Sequence, residues 1–185
     1  MDVLEAIHSR RSMGEVSPQP VARELVEQLL SAAVQAPNHY QVRPWRFVVL
    51  AGAARVRMGE LLARALKEKF PALPEAALEK ERARPLRAPL IIAVGVDEPA
   101  QPKVDRIENL CAAAAAVENL LLAAHGLGLA AKWRTGEDAH NPQLKEFLGF
   151  SASMDLIALV YLGYPRAAAL VAPRPGFEDR TVWLD

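Results

Sequence analysis

The sequence predicts a domain of the α/β or α+β class, in which helices cover a β-sheet. Helical and strand patterns are intermixed along the chain, four short apolar segments are typical of strands, and long connections separate them. The 185 residues fit a single domain over residues 1–185, since domains usually contain about 100–200 residues. A chain of this length can bury a core without disulfide bonds or a structural metal.

Five segments have the spacing of apolar side chains that is typical of helices. In the second of them, an apolar stripe that begins at Leu25 faces away from a run of charged residues. Proline and glycine mark several ends, since proline favours the first position of a helix and glycine follows its last. The predicted helices cover residues 2 to about 10, the segment between Pro20 and Pro37, residues 53–69, residues 105–124, and a short stretch between Asn141 and Gly149.

The four predicted strands are short runs of apolar and β-branched residues. The second run is apolar throughout, which predicts a strand that is buried on both faces. The strands are expected at Phe47–Leu50, Leu90–Val96, Leu129–Trp133 and Leu156–Leu162.

Two segments differ in composition from the rest. Residues 71–89 interleave proline with Glu, Lys and Arg, which favours a mobile connection or lid with one or two helical turns around Glu75 to Ala83. Residues 165–185 contain three prolines and predict an extended C-terminal arm, which finishes with Val182, Trp183 and Leu184. These apolar side chains need cover from the same chain or from a partner.

Composition excludes several classes of protein. Lys+Arg and Asp+Glu both number 22, so the formal net charge is zero, which argues against a dedicated nucleic-acid binder. The N-terminus has acidic residues where a signal peptide would be basic, and we expect no membrane span and a cytoplasmic protein. The one cysteine, Cys111, excludes an intrachain disulfide bond and is expected to be buried and inert within an Ala-rich helix.

No nucleophile triad and no histidine pair with metal-ligand spacing occurs in the sequence. Two basic segments are the candidates for chemistry. Arg10-Arg11-Ser12 suits a phosphate, because guanidinium groups offer forked donors to its oxygens; alternatively, both arginines complement the end of the first helix. Lys132-Trp133-Arg134-Thr135-Gly136 follows a strand, where ligands often bind; alternatively, it is a solvated strand end with its Trp in the core.

Together with other segments, these two motifs resemble the nitroreductase family of FMN-dependent oxidoreductases, and most of all its compact YdjA-like branch. The resemblance covers Asp2 to about Pro165, and the order and spacing of the motifs support it. The matching segments are the Arg10-Arg11-Ser12 entry, a helix that ends in Ala36-Pro37, Pro44-Trp45-Arg46-Phe47-Val48-Val49, the Lys132–Gly136 turn, and Tyr161-Leu162-Gly163-Tyr164-Pro165.

The resemblance implies an α+β fold: a three-layer sandwich with a mainly antiparallel central sheet flanked by helices. It also implies an intertwined homodimer with FMN at the subunit interface. NADH or NADPH would reduce the flavin in a ping-pong reaction, and a nitroaromatic, quinone or related small-molecule acceptor would oxidise it. The alternatives are a non-catalytic flavin-binding or flavin-handling protein on the same scaffold, and a plain interaction domain.

The resemblance also implies the site residues. Arg10, Arg11 and Ser12 match the N-terminal FMN-binding motif, and Trp133, Arg134 and Thr135 match the second FMN segment, with Arg134 expected near the phosphate. Gln35 and His39 match positions that reach FMN from the partner subunit, and Gln41 belongs to the polar segment before Pro44-Trp45. No metal and no catalytic side chain is expected, since the flavin supplies the chemistry.

The chain departs from the family pattern at three positions. Many relatives have a lysine where this chain has Gly14, so a basic contact near the flavin pyrimidine is missing or is supplied elsewhere. Gln35 stands where a close relative has an arginine, and Arg43 is the third departure.

Overall fold

A computed structural model describes residues 1–169 and 173–184 of the chain. Its centre is one antiparallel sheet of four strands in the order β1-β2-β4-β3, so the prediction of four strands is confirmed. The strands are β1 (Trp45–Ala51), β2 (Leu90–Val96), β3 (Ala130–Arg134) and β4 (Asp155–Gly163).

Six α-helices accompany the sheet in the described part of the chain, and short 3₁₀ turns join some of them. All five predicted helices are present, and a sixth lies where the sequence predicted one or two turns. The helices are α1 (Val3–Ser9), α2 (Arg23–Ala33), α3 (Ala53–Lys69), α4 (Glu75–Arg82), α5 (Arg106–Gly126) and α6 (Pro142–Phe147).

The helices lie on both faces of the sheet, which gives the three layers of an α+β sandwich. All seven residues of β2 are buried, as the sequence predicts, because successive side chains point to opposite faces and both faces are covered. Ile92 and Val94 pack in one apolar layer with α2 and α5. Ile91 and Ala93 pack in the other with α3 and α6.

Helix α5 is the central helix of one layer. Its N-terminus has a capping box, in which the Asp105 backbone N–H donates to Glu108 Oε2 at 2.8 Å. By length and composition alone it could cross a membrane. In this fold it buries eight residues, including Ala113 and Ala116, against the sheet and α2, as a core helix does.

Cys111 corrects one expectation from the sequence, because its thiol is exposed instead of buried. The reason is geometric: α5 covers the sheet with one face only. Cys111 lies one turn from Ile107, which is 67% exposed, on the opposite face.

The segment over residues 71–89 contains α4 and a 3₁₀ turn at Arg84–Arg87. Leu78 is the buried residue of α4, and the Arg82 guanidinium group pairs with Glu60, Glu75 and Glu79. These contacts anchor the segment on α3 in the structure. Its movement as a lid stays a prediction.

After α1 the chain runs along the outer edge of β3. Ser12 pairs with Ala131 in a parallel bridge, and the Met13 N–H donates to the Ala131 carbonyl at 3.0 Å. Further on, Val16 pairs with Pro165 beyond the end of β4. This N-terminal segment therefore brings the first basic motif beside the strand that carries the second.

Candidate functional site

The first motif lies where α1 changes into extended backbone. Asp2 caps the start of α1 by accepting the Glu5 N–H at 2.9 Å, and the helix ends at Ser9. Arg10 has φ −55° and ψ 134°, so the chain leaves the helix and extends toward Ser12. The three motif residues therefore lie at the carboxyl end of α1, beside the edge of β3.

The two motif arginines are largely held by the protein, yet each retains a free buried donor. Arg11 Nη1 donates to the carbonyls of His8 and Arg10 at 2.7 and 2.9 Å, so this arginine does complement the helix end. Arg10 Nε lies 3.2 Å from Glu118 Oε1 without hydrogen-bond geometry. Among the described residues, the buried Nε atoms of Arg10 and Arg11 have no hydrogen-bond partner. Unsatisfied buried donors of this kind suit an anion.

A third arginine, Arg174, joins this group, and sequence reasoning missed it. Its Nη2 donates to the Arg10 carbonyl at 2.7 Å, and its Nη1 lies 3.4 Å from the Ile7 carbonyl. It stands between two prolines on the C-terminal arm, 164 positions from Arg10. No local pattern marks a lone arginine in such an arm, because only the return of the arm to α1 gives it a role.

The second motif occupies the end of β3. Trp133 Nε1 donates to the Ile157 carbonyl at 2.9 Å, and its ring packs beside the core layer of α2 and α5, as the alternative interpretation expects. The Arg134 guanidinium lies 5.4 Å from the ring centre of Tyr161, and Thr135 is exposed. Burial raises the pKa of the Tyr161 phenol, and Arg84 and Arg134 oppose that rise.

The strand register separates the two motifs along the edge. Ser12 lies opposite Ala131, so Arg134 is three residues farther on, or about 10 Å along the strand. Arg174 lies at the Arg10 end instead. The site therefore has one basic group at the end of α1 and another at the end of β3, and the role of Arg134 at a phosphate stays a prediction.

Lys132 lies beside Gly14, the position where many relatives have a lysine. A Cβ atom added to Gly14 would lie 3.4 Å from Lys132 Cδ and 3.9 Å from its Nζ. The exposed amine of Lys132 thus occupies the space that a side chain at position 14 would enter. A neighbouring strand supplies a basic group where the N-terminal segment lacks one.

The polar segment before β1 has a strained backbone. Tyr40, Gln41 and Arg43 have φ angles of 49°, 53° and 48°, which are unusual for residues with side chains. Asn38 supports this turn, since its Oδ1 accepts the Arg43 N–H at 2.8 Å. Strain of this kind often occurs in loops that bind ligands.

Two further predicted residues lie close to this segment. His39 Nδ1 is 2.8 Å from Glu108 Oε1, and this hydrogen bond lowers the pKa of the Glu108 carboxyl. Gln35 Nε2 donates to the Ser31 carbonyl at 3.3 Å, and its side chain is exposed.

One chain does not bring the two halves of the predicted site together. Arg10 contacts α5 at Glu118, whereas His39 contacts it at Glu108. Ten residues of helix separate these contacts by about 15 Å along the axis. Arg10–Ser12 and Trp133–Thr135 share one edge of the sheet, whereas His39 lies toward the other end of α5. Gln35 lies between them, because its N–H donates to the Ala32 carbonyl, which also accepts from Asn119 Nδ2.

Comparisons with known proteins agree on one family. The chain matches the sequence profile described as Nitroreductase family over residues 7–164. It is 31% identical over 169 residues to YdjA of Escherichia coli (strain K12), which is provisionally named an NAD(P)H nitroreductase; the match covers 91% of each protein.

Solved structures extend this agreement to the fold. A nitroreductase-like protein from Bacillus cereus superposes with a TM-score of 0.82 at 24% identity, over 100% of this chain and 97% of that chain. A provisionally named nitroreductase from Desulfovibrio desulfuricans, solved in complex with FMN, has a TM-score of 0.78 at 26% identity, over 100% and 98%. The expected α+β sandwich with an antiparallel sheet is confirmed.

Proposed function

Because the chain belongs to the nitroreductase family, we propose that it is an FMN-dependent NAD(P)H oxidoreductase. When bound, FMN would supply the chemistry, which is hydride transfer from NADH or NADPH to the flavin N5 and then reduction of a nitroaromatic, quinone or related acceptor. The oxidised nucleotide leaves before the acceptor enters, which is a ping-pong order. The working form is a homodimer in the cytoplasm.

The observation that supports FMN most directly is the group of arginines at the end of α1. Arg10 and Arg11 each have a buried Nε without a hydrogen-bond partner among the described residues, although Arg10 Nε lies 3.2 Å from Glu118 Oε1. Arg174 donates to the Arg10 carbonyl, as Arg11 does. Guanidinium groups match the oxygens of a phosphate, and the Ser12 hydroxyl is exposed beside them. This donor set fits the phosphate end of FMN.

The rest of the N-terminal edge suits the other end of the cofactor. From Ser12 the segment runs past Gly14, where the Lys132 amine lies, and then reaches Val16 beside Pro165. Trp133 and Arg134 lie farther along β3 in the other direction. We assign Lys132 the basic contact near the flavin pyrimidine. A cation at this position stabilises the negative charge that the ring gains on reduction.

A second subunit would complete the site. Gln35, His39 and Gln41 belong to the proposed cofactor site, yet the contact of His39 with α5 lies about 15 Å from the contact of Arg10. In a homodimer, the partner's copy of this segment supplies those residues. The His39–Glu108 pair and the strained turn hold it in a fixed shape for that contact.

The absorption spectrum of the purified protein, followed by anaerobic titration with NADH and NADPH, tests the proposal. We expect the bands of bound oxidised FMN and their rapid bleaching by at least one donor. A flavin that stays oxidised with both donors would instead favour a non-catalytic flavin-binding or flavin-handling protein. A colourless protein that ignores added FMN would leave only an interaction domain.

Arginine variants test the assigned residues. We expect Arg174→Ala and Arg134→Ala each to raise the Kd of FMN at least about tenfold, since a hydrogen bond to a charged group contributes about 1.5–3 kcal/mol. Fluorescence quenching of FMN by the apoprotein measures this. Arg64→Gln, an exposed arginine on α3, is the matched control and should leave the Kd unchanged. Unchanged flavin affinity in either test variant would remove that arginine from the site.

A further inference from the structure

A cavity of about 590 Å³ opens beside Gly14, next to the proposed flavin site. Arg55, Arg87 and Arg166 line it, and Glu15 is the only carboxylate that the described residues contribute to its wall, which gives these residues an excess of two positive charges. The other large cavity, of about 500 Å³ between α3 and α6, has four carboxylates and one lysine. The positive character is therefore particular to the cavity beside Gly14.

The three guanidinium groups are not neutralised by the protein. Within residues 1–169 and 173–184, no carboxylate lies within 4.0 Å of any of them. Arg55 is held in place, because its Nη1 donates to the Ala88 carbonyl at 2.6 Å, while its buried Nε has no partner there. Arg87 and Arg166 are exposed at the mouth.

Gly14 connects this cavity with the proposed flavin site. Ser12 and Gly14 belong to the same extended segment, so the cavity wall begins about 7 Å beyond the end of the phosphate motif. Val16, also in the wall, is fixed by its bridge to Pro165. Gly14 is therefore shared by the cavity wall and the proposed ring contact at Lys132, and the wall continues from there to Val16 and Arg166 at the Ala130 end of β3.

FMN has one phosphate, and the arginines at the end of α1 account for it. Arg55, Arg87 and Arg166 are a separate group, with no carboxylate within 4.0 Å among the described residues, and they call for a second anion, on a molecule that reaches the ring. We propose that this cavity binds phosphate groups of the nicotinamide dinucleotide that reduces the flavin, with Arg87 and Arg166 as its specificity-determining residues. The inference rests on the proposed function, since it needs a reducible flavin beside Gly14.

Two phosphates of the donor could occupy the cavity: the 2′-phosphate, which only NADPH has, or the pyrophosphate, which NADH shares. The test compares Arg87→Gln, Arg166→Gln and the double variant with the wild-type protein, all reconstituted with FMN. The donors are NADPH, NADH and N-benzyl-dihydronicotinamide, which has no phosphate. Both substituted side chains are exposed, so the fold is retained.

We expect the KM for the phosphate-bearing donor to rise about tenfold or more in the double variant, with kcat unchanged, because an interaction common to ground and transition states is lost. A rise for NADPH alone identifies the 2′-phosphate, and a rise for both dinucleotides identifies the pyrophosphate. The Kd of NADP⁺ and NAD⁺ for the oxidised holoprotein, measured by calorimetry, should change in parallel. N-benzyl-dihydronicotinamide and the control Arg64→Gln should show no change.

The results separate this inference from the proposed function. A holoprotein that is reduced by a dinucleotide, but whose KM and Kd for both dinucleotides are the same in all variants, overturns the cavity assignment alone. A loss of rate with the phosphate-free donor as well would also overturn it, because the arginines would then act on the flavin. A protein that does not take up FMN overturns both.

Discussion

At the scale of single residues, the site is a place where positive charges are held close together before any anion arrives. Arg11 and Arg174 both donate to the carbonyl of Arg10, at 2.9 and 2.7 Å. The partial negative charge at the end of α1 attracts them there. A bound anion would decrease their mutual repulsion, so the carbonyls that hold these two guanidinium groups also orient them for phosphate.

The pair of His39 and Glu108 makes a prediction at this scale. His39→Ala should return the lowered pKa of the Glu108 carboxyl toward the ordinary value for glutamate, because the hydrogen bond from the imidazole is its largest cause. NMR titration of the side-chain carboxyl measures this. His8→Ala, on α1, is the control and should leave that pKa unchanged.

The sign of the effect on stability follows. Because the Glu108 pKa is lowered, the pair stabilises the fold at pH values above the ordinary pKa of glutamate. This contribution is lost as the pH falls through the lowered pKa. Both side chains are well exposed, so the effect is small. An unchanged carboxyl titration in His39→Ala would mean that the two side chains do not interact in solution.

At the scale of elements, two glycines decide how closely neighbouring parts can pack. A Cβ atom on Gly95, where β2 shifts register, would lie 2.8 Å from the Phe150 ring. On α3, a Cβ atom at Gly59 would overlap the carbonyl oxygen of Arg82 at the end of α4. Helix α4 therefore lies directly on α3, which fixes part of the segment that sequence alone predicted to be mobile.

We expect Gly59→Ala to lower the free energy of unfolding by about 1–3 kcal/mol, because the added methyl group forces α3 and α4 apart. Thermal and urea unfolding measure it. Gly126→Ala, at the end of α5, is the matched control: its Cβ would meet nothing within 4 Å, and alanine favours a helix, so stability should be unchanged or higher. Equal stability of Gly59→Ala and the wild-type protein would show that α4 moves away from α3 easily.

At the scale of the whole molecule, one chain leaves several apolar surfaces in water. Val3 and Leu4 on α1 are 67% and 64% exposed, and Ile107 on α5 is 67% exposed. At the tip of the arm, Trp183 and Leu184 are 79% and 93% exposed. Apolar surface of this extent is typical of a face that contacts another chain. The arm returns to its own domain at Arg174, but its tip remains uncovered. A homodimer would cover it.

The double variant Trp183→Ala/Leu184→Ala tests this directly. By sedimentation equilibrium at micromolar concentration we expect the wild-type protein at twice the chain mass of 20.2 kDa, and the variant shifted toward the monomer with less bound FMN. Phe70→Ala, which removes an exposed aromatic ring directly after α3, should change neither property. A wild-type monomer that binds FMN fully would contradict a site shared between two subunits.

The sequence predicted most of the regular structure, because the evidence for it is local. The bounds of α3 and β2 agree with the prediction to the residue, since apolar spacing and flanking glycine or proline determine them. The expectation that Cys111 is buried was wrong, because periodicity within an Ala-rich helix does not show which face meets the sheet. For the site, the motif residues at Arg10–Ser12 and Trp133–Thr135 were identified from the chain and lie along one sheet edge.

By itself, the sequence determined the family, the helices and strands, and the basic motifs, all of which depend on residues close together in the chain. Only the tertiary structure decided that Arg174 joins Arg10, that Lys132 lies beside Gly14, and that three more arginines surround one cavity. These contacts join positions far apart in sequence, and packing alone brings them together. The net charge of zero does not reveal this local excess of positive charge, because a sum over the chain does not show where the charged residues lie.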